Sequence, residues 1–217
     1  MLTLFGYRYS IYLRIVRLVL AEKGLTARHV EIDPFSALAT DFMHLHPFGR
    51  VPVLDHDRFV VYETAAIARY LDEAFKEPSL QPVGAQARAR MVQIVAIANA
   101  YAYWPLVRQV YAQSVFRPAE GLATDSEELA AGLAGAPRVL AALEVLIAEG
   151  RGTGQEGSDQ PVTLADLHLA PMIGAFAATS QGADMLMTYP ALVRWWARIS
   201  ARPSWAATDA GLPGDQD

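Results

Sequence analysis

The period of the apolar residues changes once along this chain, and the change limits the folds open to it. Strand-like runs are confined to the first 62 residues, and beyond Pro82 only helical spacing remains. Leu2-Thr3-Leu4-Phe5 suits a buried strand, and His29-Val30-Glu31-Ile32 alternates as a second. Between them Ile11 to Lys23 is patterned as a helix, with Ser10 at the N-cap position and Gly24 just past its end. Strand, helix and strand within 32 residues form a βαβ unit, which implies a parallel pair. A weak helical signal over Ser36 to Leu45 follows. Val51–Leu54 and Phe59–Tyr62 then read as strands about a polar turn at Asp55–Arg58, and a helix is expected from Thr64 to Phe75. Pro52, near the start of its strand, argues against a central place for that strand.

Glu77-Pro78-Ser79-Leu80-Gln81-Pro82 is a linker with two prolines. After it, Gly84 to about Ser114 reads as one long helical stretch that Pro105 should kink. Helical patterns recur at 126–149, 164–178 and 190–201, with a Gly-rich loop over Gly150–Gln160 and a tail from Thr208 expected to fray. The expected organisation is a mixed α/β domain, residues 1–77, followed by an all-helical domain, residues 86–207.

Composition removes several classes of function. Cysteine is absent, which excludes disulfides, thiolate metal sites and a Cys nucleophile. The five histidines lie at 29, 44, 46, 56 and 168 without ligand spacing, so no metal is expected. Net charge is −5, and no basic patch stands out to suit nucleic acid or an anionic membrane. No signal-peptide pattern and no charge-free apolar run of about 18 residues is present, so a cytoplasmic address is expected.

Four motifs in fixed order resemble the glutathione transferase superfamily over about residues 2–205. They are Ser10 with the helix ending Glu22-Lys23-Gly24, then His46-Pro47-Phe48-Gly49-Arg50-Val51-Pro52-Val53-Leu54, then Tyr62-Glu63-Thr64-Ala65-Ala66-Ile67, and last Thr163-Leu164-Ala165-Asp166-Leu167. The second is similar to the family's N-P-x-G-x-V-P-x-L. The resemblance implies a thioredoxin-like N-terminal domain that binds glutathione, followed by the all-helical C-terminal domain of cytosolic members.

The family pattern assigns roles residue by residue. A cis bond before Pro52 would leave the Val51 backbone to pair with glutathione as with an added strand. Glu63 and Thr64 stand at a strand-to-helix junction, where unpaired N–H groups can receive the γ-glutamyl carboxylate. The alternative for Thr64 is a plain N-cap, a role that need not exclude binding. The region that holds the glycine carboxylate in several classes reads Phe35-Ser36-Ala37-Leu38-Ala39, without charge, and Arg50 is the substitute cation. Tyr12, Tyr103, Trp104 and Arg108 are candidates for a hydrophobic second-substrate site. Thr163 to Asp166 fits a structural capping pattern. His168 reads as a satisfied core histidine, and Trp195 and Trp196 as packing residues.

The implied reaction is attack of the glutathione thiolate on a small electrophile, glutathione being co-substrate. Isomerisation, reduction, or a non-catalytic binding protein of the same fold are the alternatives. A homodimer is implied as well. Counted back from Arg17 and Glu22-Lys23-Gly24, Ser10 falls on the thiol-activating position of Ser-type classes such as zeta and phi, and Gly6 on that of Tyr-type classes. Tyr12 or Tyr9 donating instead, with Ser10 merely capping, is the competing assignment.

Overall fold

A computed structural model describes residues 1–36, 40–155 and 162–214. Ala37–Ala39, Glu156–Gln160 and the last three tail residues, named in the readings above, lie outside the described residues. The chain divides into two compact units, Met1–Ser79 with Pro203–Ala210, and Leu80–Arg202 with the residues from Gly211.

The first unit runs β1 (Leu2–Gly6), α1 (Ile11–Glu22), β2 (Arg28–Glu31), α2 (Thr40–Leu45), β3 (Val53–His56), β4 (Phe59–Tyr62) and α3 (Thr64–Ala74). The sheet order is β2-β1-β3-β4, with β1 and β2 parallel and the other pairs antiparallel. This is the thioredoxin-like arrangement expected. One expectation fails: β3 is internal. It begins at Val53, so Pro52 stands outside the ladder and removes no strand N–H. The core joins Leu13, Ile15, Val16 and Val19 of α1 to Leu54 of β3 and to Ile67 and Leu71 of α3. At the end of α1 a buried ion pair ties three segments together. Lys23 Nζ donates to Asp72 Oδ1 at 2.9 Å and to the Pro78 carbonyl at 2.7 Å.

The second unit is helical. The expected long helix is two structures: α4 (Ala85–Ile97) passes without a break into a π-helical stretch, Ala98–Phe116, with Pro105 inside it. The proline that the sequence marks as a kink site lies within this wider i→i+5 winding. After a single turn, α5 (Arg117–Ala119), come α6 (Ser126–Ala148) and α7 (Leu164–Ala177). Gly132 lets α6 approach the π-helical stretch closely, since a Cβ there would stand 2.6 Å from Gln109 Cβ and 2.9 Å from the Pro105 carbonyl. By length and composition α6 is apolar enough to cross a membrane. Here Ala136, Leu140 and Leu143 bury its inner face in the helical core. Besides α5, the short helices α8 (Ser180–Leu186) and α10 (Pro203–Ala207) were not anticipated, α10 lying within the first unit. Between them α9 (Pro190–Ser200) packs on α6 and α7.

Candidate functional site

Strand register gathers the candidate residues of the first unit at one end of the sheet. Phe5 pairs with Val53, and Val53 with Tyr62. The segments that leave this row are the loop to Ser10 after β1, the Val51-Pro52 dipeptide before β3, and Glu63-Thr64 after β4. Residues more than fifty apart in sequence thus emerge side by side, because neighbouring strands lie about 4.8 Å apart.

Ser10 is the N-cap of α1, as expected, and its Oγ accepts the Leu13 N–H at 3.3 Å. The hydrogen of that hydroxyl has no acceptor among the described residues. A serine hydroxyl that accepts from a helix N–H can still donate outward, so capping and thiol activation are compatible. Gly6 closes β1 beneath this loop, and a Cβ on it would stand 2.5 Å from Leu13 Cδ1. The Tyr-type position is therefore filled from below. The loop carries an aromatic group that sequence reasoning did not assemble: Tyr7 meets Tyr9 edge-on at 5.4 Å and Phe35 at 5.8 Å. Arg8 anchors it to β2, its N–H reaching Glu31 Oε1 at 2.9 Å. Tyr12 is half-buried in the first turn of α1.

The Val51–Pro52 bond is cis, as expected. Pro52 is buried and Val51 half-buried. The preceding loop turns at Gly49, whose φ of 59° is left-handed and suits glycine. His46 replaces the asparagine of the resembling motif. Its Nδ1 accepts the Phe48 N–H at 3.2 Å, and its ring lies 4.6 Å from that of Tyr62. Burial lowers the His46 pKa. The Glu63 charge opposes that shift and Arg50 reinforces it. Both charged groups therefore act on the same ring, and both are exposed.

Glu63 has φ 69° and ψ 117°, a strained backbone for a residue with a side chain, of the kind that clusters at ligand clamps. It is the N-cap of α3 and makes no side-chain capping bond. Thr64 is the first helical residue and buried, so the reading of Thr64 as the N-cap is corrected. The first N–H groups of α3 have no helical partner, which leaves an electropositive site suited to a carboxylate.

Of the candidates in the second unit, Trp104 and Arg108 are exposed and Tyr103 half-buried on the π-helical stretch. Thr163 and Asp166 are fully buried. Asp166 accepts from the Thr163 N–H (2.7 Å), the Gly154 N–H (2.7 Å), Trp195 Nε1 (2.6 Å) and Arg198 (3.4 Å). Burial raises the pKa of this carboxyl, and these donors pull the other way. His168 corrects its reading as satisfied. Nδ1 lies 3.0 Å from the Leu164 carbonyl, but Nε2 is buried with no partner among the described residues. Burial lowers its pKa to about 4. No group of three His, Asp or Glu side chains among the described residues is placed to hold a metal.

The family described as "Glutathione S-transferase, N-terminal domain" matches residues 4–79, and "Glutathione S-transferase, C-terminal domain" matches residues 104–203. The chain is 30% identical over 185 residues to glutathione S-transferase F11 of Arabidopsis thaliana, covering 82% of this chain and 81% of that one. It is 40% identical over 89 residues to a stringent starvation protein A homolog of Haemophilus influenzae, 41% of this chain and 42% of that relative. Among solved structures, glutathione S-transferase III in its apo form superposes with a TM-score of 0.81 at 27% identity, over 98% of this chain and 97% of that one.

Proposed function

Because the chain belongs to the glutathione transferase superfamily, we propose that it is a glutathione transferase joining the glutathione thiolate to a small hydrophobic electrophile. The observation that carries this reading is the common sheet end, from which Ser10, Val51-Pro52 and Glu63-Thr64 all emerge. Glutathione would pair its backbone with Val51 and set its γ-glutamyl carboxylate on Thr64 at the α3 N-terminus. Glu63 would take the α-amino group, and Arg50 the glycine carboxylate. The Ser10 hydroxyl and the α1 N-terminus would then favour the thiolate, the reactive form of the thiol. No protein nucleophile is required, because the sulfur of glutathione attacks. Tyr12, Tyr103, Trp104 and Arg108 are the side chains offered to the electrophile. The glutathione-binding domain would comprise residues 1–77 and the helical domain residues 86–207 without α10, which lies in the first unit, and a cytoplasmic homodimer belongs to the same reading.

A second reading, a non-catalytic binding protein of the same fold, draws on the likeness to a relative whose name is not that of a transferase. Calorimetric titration with glutathione, followed by turnover assays with aryl halides, epoxides, isomerisable enones and peroxides, separates the two. Saturable binding with conjugation is expected. Binding without turnover favours the second reading, and no binding rejects both.

A further inference from the structure

The chain leaves the helical unit at Arg202, and its next segment belongs to the first unit, where α10 lies on α1. The attachment is made at both ends of that helix. Near its start, Arg14 Nη2 donates to the Trp205 carbonyl at 3.0 Å, and the guanidinium carbon stands 3.7 Å above the Trp205 ring. Nη1 of the same side chain is 3.7 Å from Asp209 Oδ1. At the far end Ser204 Oγ donates to Glu22 Oε1 at 2.5 Å. Arg14, Leu18 and Glu22 share one helix face at i, i+4 and i+8, and Leu18 is buried between the two polar ties.

Arg14 is also one turn from Ser10, since its backbone N–H makes the first helical bond to the Ser10 carbonyl at 2.9 Å. First turns fray easily, because their N–H groups lack helical partners. Here the side-chain cap is itself long, at 3.3 Å. A planar guanidinium held by stacking, by a carbonyl and by a carboxylate is a rigid anchor, and a lysine could reproduce only part of it.

We infer that Arg14 and Trp205 form a clamp through which the C-terminal segment fixes the first turn of α1 and holds Ser10 in its productive orientation. Arg14 and Trp205 are thus positioning residues, acting on the thiol through Ser10. This rests on the reading of Ser10 as thiol activator. It assigns residues after Arg202 a task in the chemistry of a site some 190 residues earlier.

The test follows the thiolate absorbance of bound glutathione against pH in Trp205→Leu, Arg14→Lys and Trp205→Phe, with Ser10→Ala as reference. Trp205→Leu leaves the Arg14 charge in place, so it separates positioning from a direct charge effect. Trp205→Leu and Arg14→Lys are expected to raise the bound-thiol pKa by about one unit, a tenfold loss of thiolate. The glutathione Kd should change less than about threefold, the carboxylate contacts being elsewhere, and Trp205→Phe should restore the titration through its ring. Should Trp205→Leu not fold, Arg14→Lys decides alone. An unmoved titration in the folded variants, while Ser10→Ala shifts it, overturns the clamp and leaves Ser10 standing. An unmoved titration in Ser10→Ala removes the Ser10 reading, and the clamp with it.

Discussion

Among the described residues, hydroxyl N-caps stand at Ser10, Thr163 and Thr179, and those of α1 and α7 have opposite fates. At the start of α7 the cap is closed by protein: Thr163 and Asp166 are fully buried, and the carboxylate is filled by backbone, indole and guanidinium donors. At the start of α1 the cap stays open: Ser10 is half-buried, takes one N–H, and keeps a hydroxyl proton to give. Both caps carry a hydroxyl residue, but α7 adds the N3 carboxylate of a capping box while α1 has Leu13 there, and what surrounds each decides whether the helix end holds the fold or serves a ligand.

The largest effect is expected at the closed cap. Asp166→Ala removes the acceptor for Trp195, Gly154 and Thr163 and leaves Arg198 without its carboxylate, so stability should fall by about 3–5 kcal/mol. Urea unfolding measures this, and the folded fraction should keep its glutathione affinity. A stable variant with lost affinity would reverse the contrast. Next comes the open cap. Ser10→Ala should cut turnover about 10²–10³-fold, as for loss of one preorganised donor, with a stability change of only about 0.5–2 kcal/mol. Tyr7→Phe, Tyr9→Phe and Tyr12→Phe should change turnover little. If a tyrosine variant reproduces the loss and Ser10→Ala does not, the open cap is structural too.

A pH series sharpens the contrast from within the buried helix. His168 on α7 has a folded pKa of about 4, below its ordinary 6.5, because burial disfavours its charged form. Between those values the unfolded chain binds a proton that the folded chain refuses. Stability is therefore full above about pH 6.5, falls as pH drops toward 4, and loses about 3 kcal/mol in all through this group. His46, also lowered by burial, adds a loss of the same sign. Unfolding midpoints at pH 7.5, 5.5 and 4.5 should decline in the parent and decline less in His168→Leu. Equal slopes would mean that the orphaned Nε2 carries no such cost. The smallest effect concerns α3. Thr64→Val should weaken glutathione binding by about 1–3 kcal/mol, and leave the melting temperature nearly unchanged because Glu63 holds the N-cap position. Calorimetry and thermal unfolding on one preparation check both halves.

Local chemistry made much of this molecule legible from its sequence. The βαβ and ββα order, the caps at Ser10 and Thr163 and the polar turn at Asp55–Arg58 all follow from short-range patterns, while the Val51-Pro52 motif was legible through its resemblance to the family's. Periodicity, capping and turn preference act within a few residues, so a single sequence displays them. The same patterns argued against a central place for β3 and did not show the π-helical winding around Pro105, because neither strand order nor an i→i+5 turn is written in local spacing. The distant donors that fill Asp166, the orphaned Nε2 of His168, the row that joins Phe5, Val53 and Tyr62, and the stacking of Arg14 on Trp205 were decided by tertiary structure. Each depends on which distant groups close over a residue. Desolvation and hydrogen-bond completion are properties of that surrounding shell, and two hydroxyl-capped helix ends in one chain can therefore finish as a sealed joint and an open site.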